Sequence, residues 1–303
     1  MKLLELFTSP PPATGWSLDT AMAAVVRRPG KTELRCAAVD IPDGTFEVGP
    51  VGLQAVDEDR LRPVLTRLQQ EVEGSKRAAV VVPTGWLRTH LLEFDELPRR
   101  QADIRDMVLW RLKKLLPVAP SSLRLATVSQ PPTDGARRLL ILVGVERAMA
   151  SLESVFESVG VSPGLLAPRI FAVADGSAMA SRVLAVQQES GFLSIMLVLD
   201  DSPRLVRTKP LPSNDWAVVE RELNLTLAFI ETKLGIEDGL TVGMSVESDP
   251  LADRLKEWVE VSDKLSPGAT EPPSLVFDGT AIRDRVGSFR LDPVVNVMSG
   301  GVR

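Results

Sequence analysis

The segment RAAVVVPTG, residues 77–85, constrains the fold of this chain more than any other stretch. Its apolar run Ala78–Val82 contains no polar residue, and Pro83 and Gly85 close it. A continuous apolar run of this length, bounded by turn residues, is typical of a strand that is buried on both faces of a sheet. Such a strand needs other elements of the chain on both sides of its sheet.

Helical and strand-like patterns alternate along the rest of the chain. Residues 57–74 predict a helix, because five apolar residues share one stripe: Leu61, Val64, Leu65, Leu68 and Val72. Further helices are predicted at 98–117, 147–160, 213–235 and 249–259, and a short strand followed by the start of a helix at 162–180. Strands are predicted at 16–28 as a hairpin, and at 31–41, 87–97, 122–130, 137–146, 182–190, 192–201, 204–211 and 239–246. This mixture indicates an α/β or α+β protein.

Composition excludes several classes of function. The net charge is -5, which disfavours a nucleic-acid-binding protein. The chain has one cysteine, Cys36, and one histidine, His90, too few for the usual zinc site, and His90 lies in a strand-like stretch. It contains no P-loop, no GxGxxG motif and no apolar run of about 18 residues, so we expect a cytoplasmic protein without a membrane-spanning helix.

Several anchor residues follow one another in the region from residue 80 to 180. A strand ends at Pro83, a second strand ends at Leu97-Pro98, and a helix that carries Trp110 is followed by Pro117 and another strand. This order resembles the PilM family of actin-like proteins of type IV pilus assembly. The weaker resemblance outside this region extends it to about residues 15–290. The L-type protein of type II secretion has a related cytoplasmic domain and is the alternative relative. An unrelated α/β protein is a further alternative.

The resemblance implies an actin-like (RNase H-like) duplicated α/β core with a small α/β insertion in the first lobe and a reduced second lobe. The first lobe would span residues 15–180, with the insertion at 86–150, after a flexible N-terminal segment at 1–14. The second lobe would span residues 181–303. Its upper subdomain is expected to be reduced or missing, because the hairpin before residue 211 leads almost directly into the next predicted helix.

Actin-like ATPases hold phosphates on two Asp-x-Gly hairpins, since glycine lets the backbone approach the phosphates closely. On the first hairpin, WSLDTAMAAVVRR, Asp19 keeps the acid, but Ala21 falls at the glycine and Val26 near the usual lysine. On the second, the family pattern puts Ala185 at the acid and Gln187 at the glycine. The first turn is therefore interpreted as the remnant of a phosphate loop.

The adenine side of the site is also reduced in this resemblance. Of the Gly-Gly pair that the family carries there, Gly243 alone remains, and its alternative role is a turn at the end of a strand. No ATP, Mg²⁺ or other cofactor, no metal and no catalytic residue is expected, so we predict a protein that is not an enzyme.

Candidate partner-binding residues are Trp86, Trp110, Arg105 and Arg111. In the helix over 103–116, the stripe Ile104, Met107, Val108, Leu112 and Leu115 excludes Trp110, and an exposed Trp is a frequent hot spot. The alternatives are that Trp110 packs beneath a neighbouring element and that the basic residues form a solvated face. Anionic lipid heads and an acidic partner are both conceivable contacts for these cations.

The function implied by the resemblance is a non-enzymatic scaffold of an inner-membrane assembly platform. It would bind the N-terminal tail of a PilN-like bitopic membrane protein and also pilus motor components, without nucleic acid, and it would reach the membrane only through partners. An ATP-binding switch of the same fold is the alternative. The tail segment Val294–Met298 is interpreted as an extended peptide that occupies the chain's own partner groove or a neighbour's, or else as an edge strand or a loose end.

Overall fold

The computed structural model describes residues 12–28, 33–133, 135–176, 180–211, 213–268, 276–277 and 288–298. Most of the predicted flexible segment 1–14 lies outside these ranges. The strands are β1 (Thr14–Leu18), β2 (Met22–Arg27), β3 (Glu33–Asp40), β4 (Phe46–Gly49), β5 (Gly52–Val56), β6 (Arg77–Val82), β7 (Arg88–Phe94), β8 (Leu123–Thr133), β9 (Ala136–Val145), β10 (Ser162–Pro168), β11 (Arg182–Glu189), β12 (Phe192–Leu199), β13 (Ser202–Pro210), β14 (Leu240–Val246), β15 (Leu265–Pro267) and β16 (Val276–Phe277). The helices are α1 (Glu58–Val72), α2 (Gln101–Leu112), α3 (Glu146–Ser158), α4 (Arg169–Gly176), α5 (Trp216–Leu234), α6 (Asp249–Val261) and α7 (Ser288–Met298).

Two large sheets share one strand plan. The first sheet has the order β10-β6-β1-β2-β3-β16 and the second has the order β13-β12-β11-β14-β15. In each, three antiparallel strands form a meander, and two parallel strands continue the sheet beside the first strand of that meander. The parallel strands need crossover connections, which contain α1 and α3 in the first half and α5 and α6 in the second. The predicted duplicated core is therefore present.

Three apolar cores separate the layers of the molecule. In the outer core, helices α1 and α3 pack against the first sheet. There Trp16 contacts Phe156 edge to face, with ring centroids 5.3 Å apart. All five stripe residues of α1 are buried there, as predicted, and each fully buried aliphatic side chain contributes about 1.5–3 kcal/mol. A central core between the two sheets contains α4 and α7, and a third core lies beneath α5 and α6.

The C-terminal tail is a helix, contrary to the extended segment predicted for it. Helix α7 packs on β1, β2, β6 and α4, and Val294 and Val295 have no exposed surface. The neighbouring strand β16 pairs with β3 of the first sheet. The tail therefore joins the central core and the first sheet, whereas the sequence assigned all of 181–303 to the second lobe. A groove-bound peptide, an edge strand and a loose end are all excluded for 294–298.

A small antiparallel sheet, β7-β9-β8, lies with α2 in the region of the predicted insertion. Helix α2 is shorter than predicted, since it starts at Gln101 rather than near Pro98 and ends at Leu112. The hairpin β4–β5 was not predicted, because its strands are short and only weakly patterned. Among the described residues, no helix is both long and apolar enough to cross a membrane.

Candidate functional site

Asp19 forms the turn between β1 and β2. Its Oδ1 accepts hydrogen bonds from the backbone N–H groups of Ala21 and Met22, each at 2.8 Å, and the residue is only 4% exposed. An aspartate that binds the backbone two and three residues on is a standard turn-forming device. Ala21 does not have a positive φ, so this turn needs no glycine at that position. The carboxylate thus serves its own hairpin.

The second hairpin has a different register from the one predicted from the sequence. Ala185 and Gln187, placed at the acid and the glycine, lie inside β11, where they pair with Met196 and Ser194 of β12. The turn consists of Ser190 and Gly191, whose φ angles are 49° and 75°. Positive φ at both central residues is typical of a type I′ hairpin.

The residue before that turn is Glu189, so the second hairpin reads Glu-Ser-Gly. An acid and a glycine are therefore present, in a register four residues beyond the one predicted. The signal that could have found them is an acid-x-Gly pattern that admits Glu as well as Asp.

A buried ion pair joins the two hairpins. Arg169, the first residue of α4, forms an ion pair with Glu189, and the exposed fractions of the two side chains are 0% and 2%. The same guanidinium donates from Nη2 to Ser17 Oγ at 2.9 Å and to the carbonyl oxygen of Leu18 at 3.2 Å. Arg169 thus links the end of β1, next to the Asp19 turn, with the acid of the second hairpin.

Thr84, two residues after the end of β6, completes these contacts. Its N–H donates to Glu189 Oε1 at 2.7 Å, and its hydroxyl bonds to Gln187 Oε1 and accepts from Ile170 N–H at 3.0 Å. We call Ser17, Thr84, Arg169, Gln187 and Glu189 the inter-lobe network. Every member is buried, and buried charges are tolerated only when they are paired and hydrogen-bonded.

The network limits which ligands could bind between the two hairpins. A cation held by Glu189 would have to displace the Arg169 guanidinium, and a phosphate held by Arg169 would have to displace the Glu189 carboxylate. Either ligand would leave one buried charge without its counter-charge. Among the described residues there is no group of three or more His, Cys, Asp or Glu side chains arranged to hold a metal ion. His90 lies on β7 opposite Ile141, and burial, followed by the charge of Arg88, lowers its pKa.

Gly243 lies in the middle of β14, paired with Ala185 of β11, so it is not a turn at the end of a strand. Helix α4 packs against both strands. Two small residues side by side leave room for a helix to approach the sheet. On the far edge of this sheet, β13 ends at Pro210 and α5 begins at Trp216, with no helix or strand in the described part of that connection.

The four candidate partner residues lie in different environments. Trp86 is 1% exposed and its ring lies 4.5 Å from that of Phe46, so it is a core residue and its side chain is not at the surface. Trp110 is 60% exposed. Arg105 and Arg111 are exposed on the same helix, and Arg111 donates to the carbonyl oxygen of Glu93 at 3.2 Å.

The predicted stripe of α2 holds for Ile104, Val108 and Leu112, which are buried. Leu115 was assigned to it wrongly, because the helix ends at Leu112 and Leu115 is 54% exposed.

Comparison with solved structures shows the fold. No protein-family profile and no curated protein sequence matches the chain. The structure is similar to that of a PilM-PilN type IV pilus biogenesis complex, with a TM-score of 0.74 and 16% identity over 96% of this chain and 99% of that chain. It is also similar to the cytoplasmic domain of EpsL, an inner-membrane component of the type II secretion system of Vibrio cholerae (TM-score 0.52, 9% identity, 96% and 95% covered).

A third similar structure is the ethanolamine utilization protein EutJ from Carboxydothermus hydrogenoformans (TM-score 0.50, 11% identity, 97% and 92% covered). The predicted resemblance to PilM is confirmed at the level of the fold, which is actin-like.

Proposed function

We propose that this chain is a non-enzymatic cytoplasmic scaffold of a type IV pilus, or related secretion, assembly platform at the inner membrane. In this role it binds the N-terminal tail of a PilN-like bitopic membrane protein. The scaffold holds its two lobes together with its own side chains rather than with a nucleotide.

The observation that carries the proposal is the inter-lobe network. In it, Arg169 supplies the positive charge that faces the acid of the second hairpin, and it also binds the end of β1. A ligand that bridges the two hairpins would have to replace these contacts at a cost of several kcal/mol. A permanent ion pair between the lobes suits a protein that offers its partners a binding surface of constant shape.

The comparisons with solved structures support a PilN-like partner. The similar solved structure is a complex of PilM with PilN, and a second one belongs to a component of a secretion system. The similarity to EpsL keeps a role in type II secretion as the alternative assembly.

A second candidate function is a nucleotide-binding switch of the same fold. One observation favours it: each hairpin keeps an acid at its turn, Asp19 in the first and Glu189 in the second, and the second also keeps Gly191. This alternative requires the Arg169–Glu189 pair to open when nucleotide enters.

Thermal unfolding with Mg-ATP separates the two candidates. The scaffold is expected to unfold at the same temperature with and without millimolar Mg-ATP. A ligand that binds the folded state at 100 times its Kd adds about 2.7 kcal/mol of stability, which is easily detected. A saturable rise in unfolding temperature with Mg-ATP, absent with Mg²⁺ alone, would establish the switch instead.

Calorimetric titration tests the partner. The probe is a synthetic peptide with the N-terminal cytoplasmic sequence of a PilN-like protein from the same genome. We expect saturable binding that is unchanged by Mg-ATP, and none with a scrambled peptide of equal composition. Equal heats for the two peptides would overturn the partner assignment.

A further inference from the structure

The end of α2 exposes an unusual group of side chains. We call Trp110, Arg111, Lys113, Lys114 and Leu115 the α2 tip. Trp110 and Leu115 are 60% and 54% exposed. In the described part of the first lobe and its small sheet, no other large apolar side chain is exposed to this extent. The Lys114 Nζ lies 4.3 Å from the centre of the Trp110 ring, so cation and aromatic ring project together.

The sequence that forms the tip carries charge of one sign. No Asp or Glu occurs from Met107 to Thr133, in a chain that has 40 acidic residues. The acids of α2, Asp103 and Asp106, lie nearer the start of the helix, with Arg105 between them. Of the neighbouring cations, Arg124 is already paired with Glu146 and Glu153 on α3.

The remaining cations of the tip are exposed and form no ion pair with any described residue. The guanidinium of Arg111 lies 5.5 Å from the Phe94 ring centroid and is fixed on the small sheet, with its charge exposed. Lys113 and Lys114 are exposed and form no ion pair with any described residue.

The apolar side chains of the tip stand at the surface beside its cations. Trp110, in the last turn of α2, and Leu115, three residues after its end, both expose more than half of their side-chain surface. An amphipathic Trp beside Lys and Arg is the combination found where proteins meet the headgroup region of a membrane. Long lysine side chains can keep their charge among the headgroups while the apolar groups enter the boundary.

We propose that the α2 tip is a direct contact with the headgroups of anionic lipids. The sequence led us to expect that the chain reaches the membrane only through partners, and this contact adds a second, independent attachment. A contact of a few side chains with headgroups is weak by itself, since stable anchoring generally takes two signals. A weak lipid contact that operates beside a bound membrane-protein tail raises the effective affinity of both.

Vesicle co-sedimentation tests the contact with the full chain. At low salt we expect binding to vesicles of phosphatidylglycerol mixed with phosphatidylcholine, none to phosphatidylcholine alone, and release as salt increases. Lys113→Gln/Lys114→Gln should weaken binding about fivefold per lysine, or about 30-fold for the pair. The matched control Lys233→Gln/Lys256→Gln removes the same charge from the second lobe and should bind as the parent does. The proposal is overturned if phosphatidylglycerol vesicles do not bind, or if both double variants bind equally.

Quenching by brominated lipids locates the contact. Of the five tryptophans, Trp16 and Trp86 are buried and Trp216 and Trp258 belong to the second lobe, so the tip predicts that Trp110 alone is quenched. Trp110→Phe should still bind vesicles and lose the quenching. Quenching that persists in Trp110→Phe would overturn the assignment of the contact to this tip. Loss of concentration-dependent self-association in Trp110→Ala, without any vesicle binding, would show that the tip serves a protein contact. None of these measurements involves the PilN-like peptide, so they test the lipid contact independently of the proposed function.

Discussion

At the scale of single residues, the ion pair of Arg169 with Glu189 is the contact on which the inter-lobe network depends. Arg169→Met leaves the Glu189 carboxylate in a buried site without its counter-charge. We expect this change to lower the free energy of unfolding by about 3–5 kcal/mol, as measured by urea denaturation.

An exposed ion pair provides the matched control. Arg67 and Glu71 form a pair of 2.8 Å on the surface of α1, and Arg67→Met should cost less than about 1 kcal/mol. Because partners in one network are coupled, Arg169→Met/Glu189→Leu should cost less than the sum of the two single changes. A cost for Arg169→Met as small as that for Arg67→Met would show that the network adds little to stability.

The residues of this network and of the turn beside it were only partly predictable from the sequence. Asp19 was identified because an acid in a turn between two strand patterns has a local signal. Glu189 and Arg169 were missed, since an ion pair between a helix start and a strand end leaves no periodic pattern. The apolar stripe of α2 excluded Trp110 and so favoured its exposure. The burial of Trp86 could not be predicted in this way, because it depends on contacts such as that with Phe46, 40 residues away in the sequence.

At the scale of elements, Gly15 lets α7 lie on β1. A Cβ at this position would lie 2.5 Å from Val294 Cγ1 and 2.9 Å from Met298 Sδ, closer than atoms in a packed core approach each other. Gly15→Ala should therefore destabilise the protein by about 1–3 kcal/mol through overpacking. Val294→Ala makes room for the new methyl group, so Gly15→Ala/Val294→Ala should lose less than the sum of the single changes in a thermal or urea measurement.

A second strand glycine serves as the control. In β10, the three atoms nearest to a Cβ on Gly164 all belong to the exposed, flexible side chain of Arg77, so Gly164→Ala should change stability by less than about 0.5 kcal/mol. Equal losses of stability for Gly15→Ala and Gly164→Ala would contradict the close packing of α7 on β1.

The identity of α7 as a helix could not be predicted from its residues. Its β-branched residues Val294, Val295 and Val297 and the internal Pro293 all disfavour a helix. Burial of Leu291, Val294 and Val295 against β1 and α4 overrides that local preference, and such long-range contacts are invisible in the segment itself. By contrast, α1 was predicted correctly, because its amphipathic stripe and its side-chain cap at Asp57 are local features.

At the scale of the whole molecule, α4 and α7 belong to both lobes, since each packs against strands of the first and second sheets. We expect the two lobes to unfold together. Tryptophans report on both, with Trp16 in the first core and Trp216 and Trp258 packed against the third. Urea transitions followed by tryptophan fluorescence and by far-ultraviolet circular dichroism should coincide.

The variant Trp216→Phe/Trp258→Phe sharpens this measurement. It restricts the buried fluorescence reporters to the first lobe, and its two transitions should still coincide with each other. Separate midpoints would show that the lobes are independent units. The sequence predicted two lobes, but it could not predict the shared layer, which joins residues near Gly15 to residues near Val294.

The order of α7 after all the other described helices also affects synthesis. Helix α7 covers Gly15 and its neighbours on β1, yet it is the last helix of the described chain to leave the ribosome. At about 5–20 residues per second, roughly a quarter of a minute to a minute separates the emergence of β1 from that of α7. Until α7 emerges, Gly15 and the apolar residues of β2 and β6 lack the cover that α7 gives them in the folded structure, so the nascent chain exposes a part of the central core that α7 covers later.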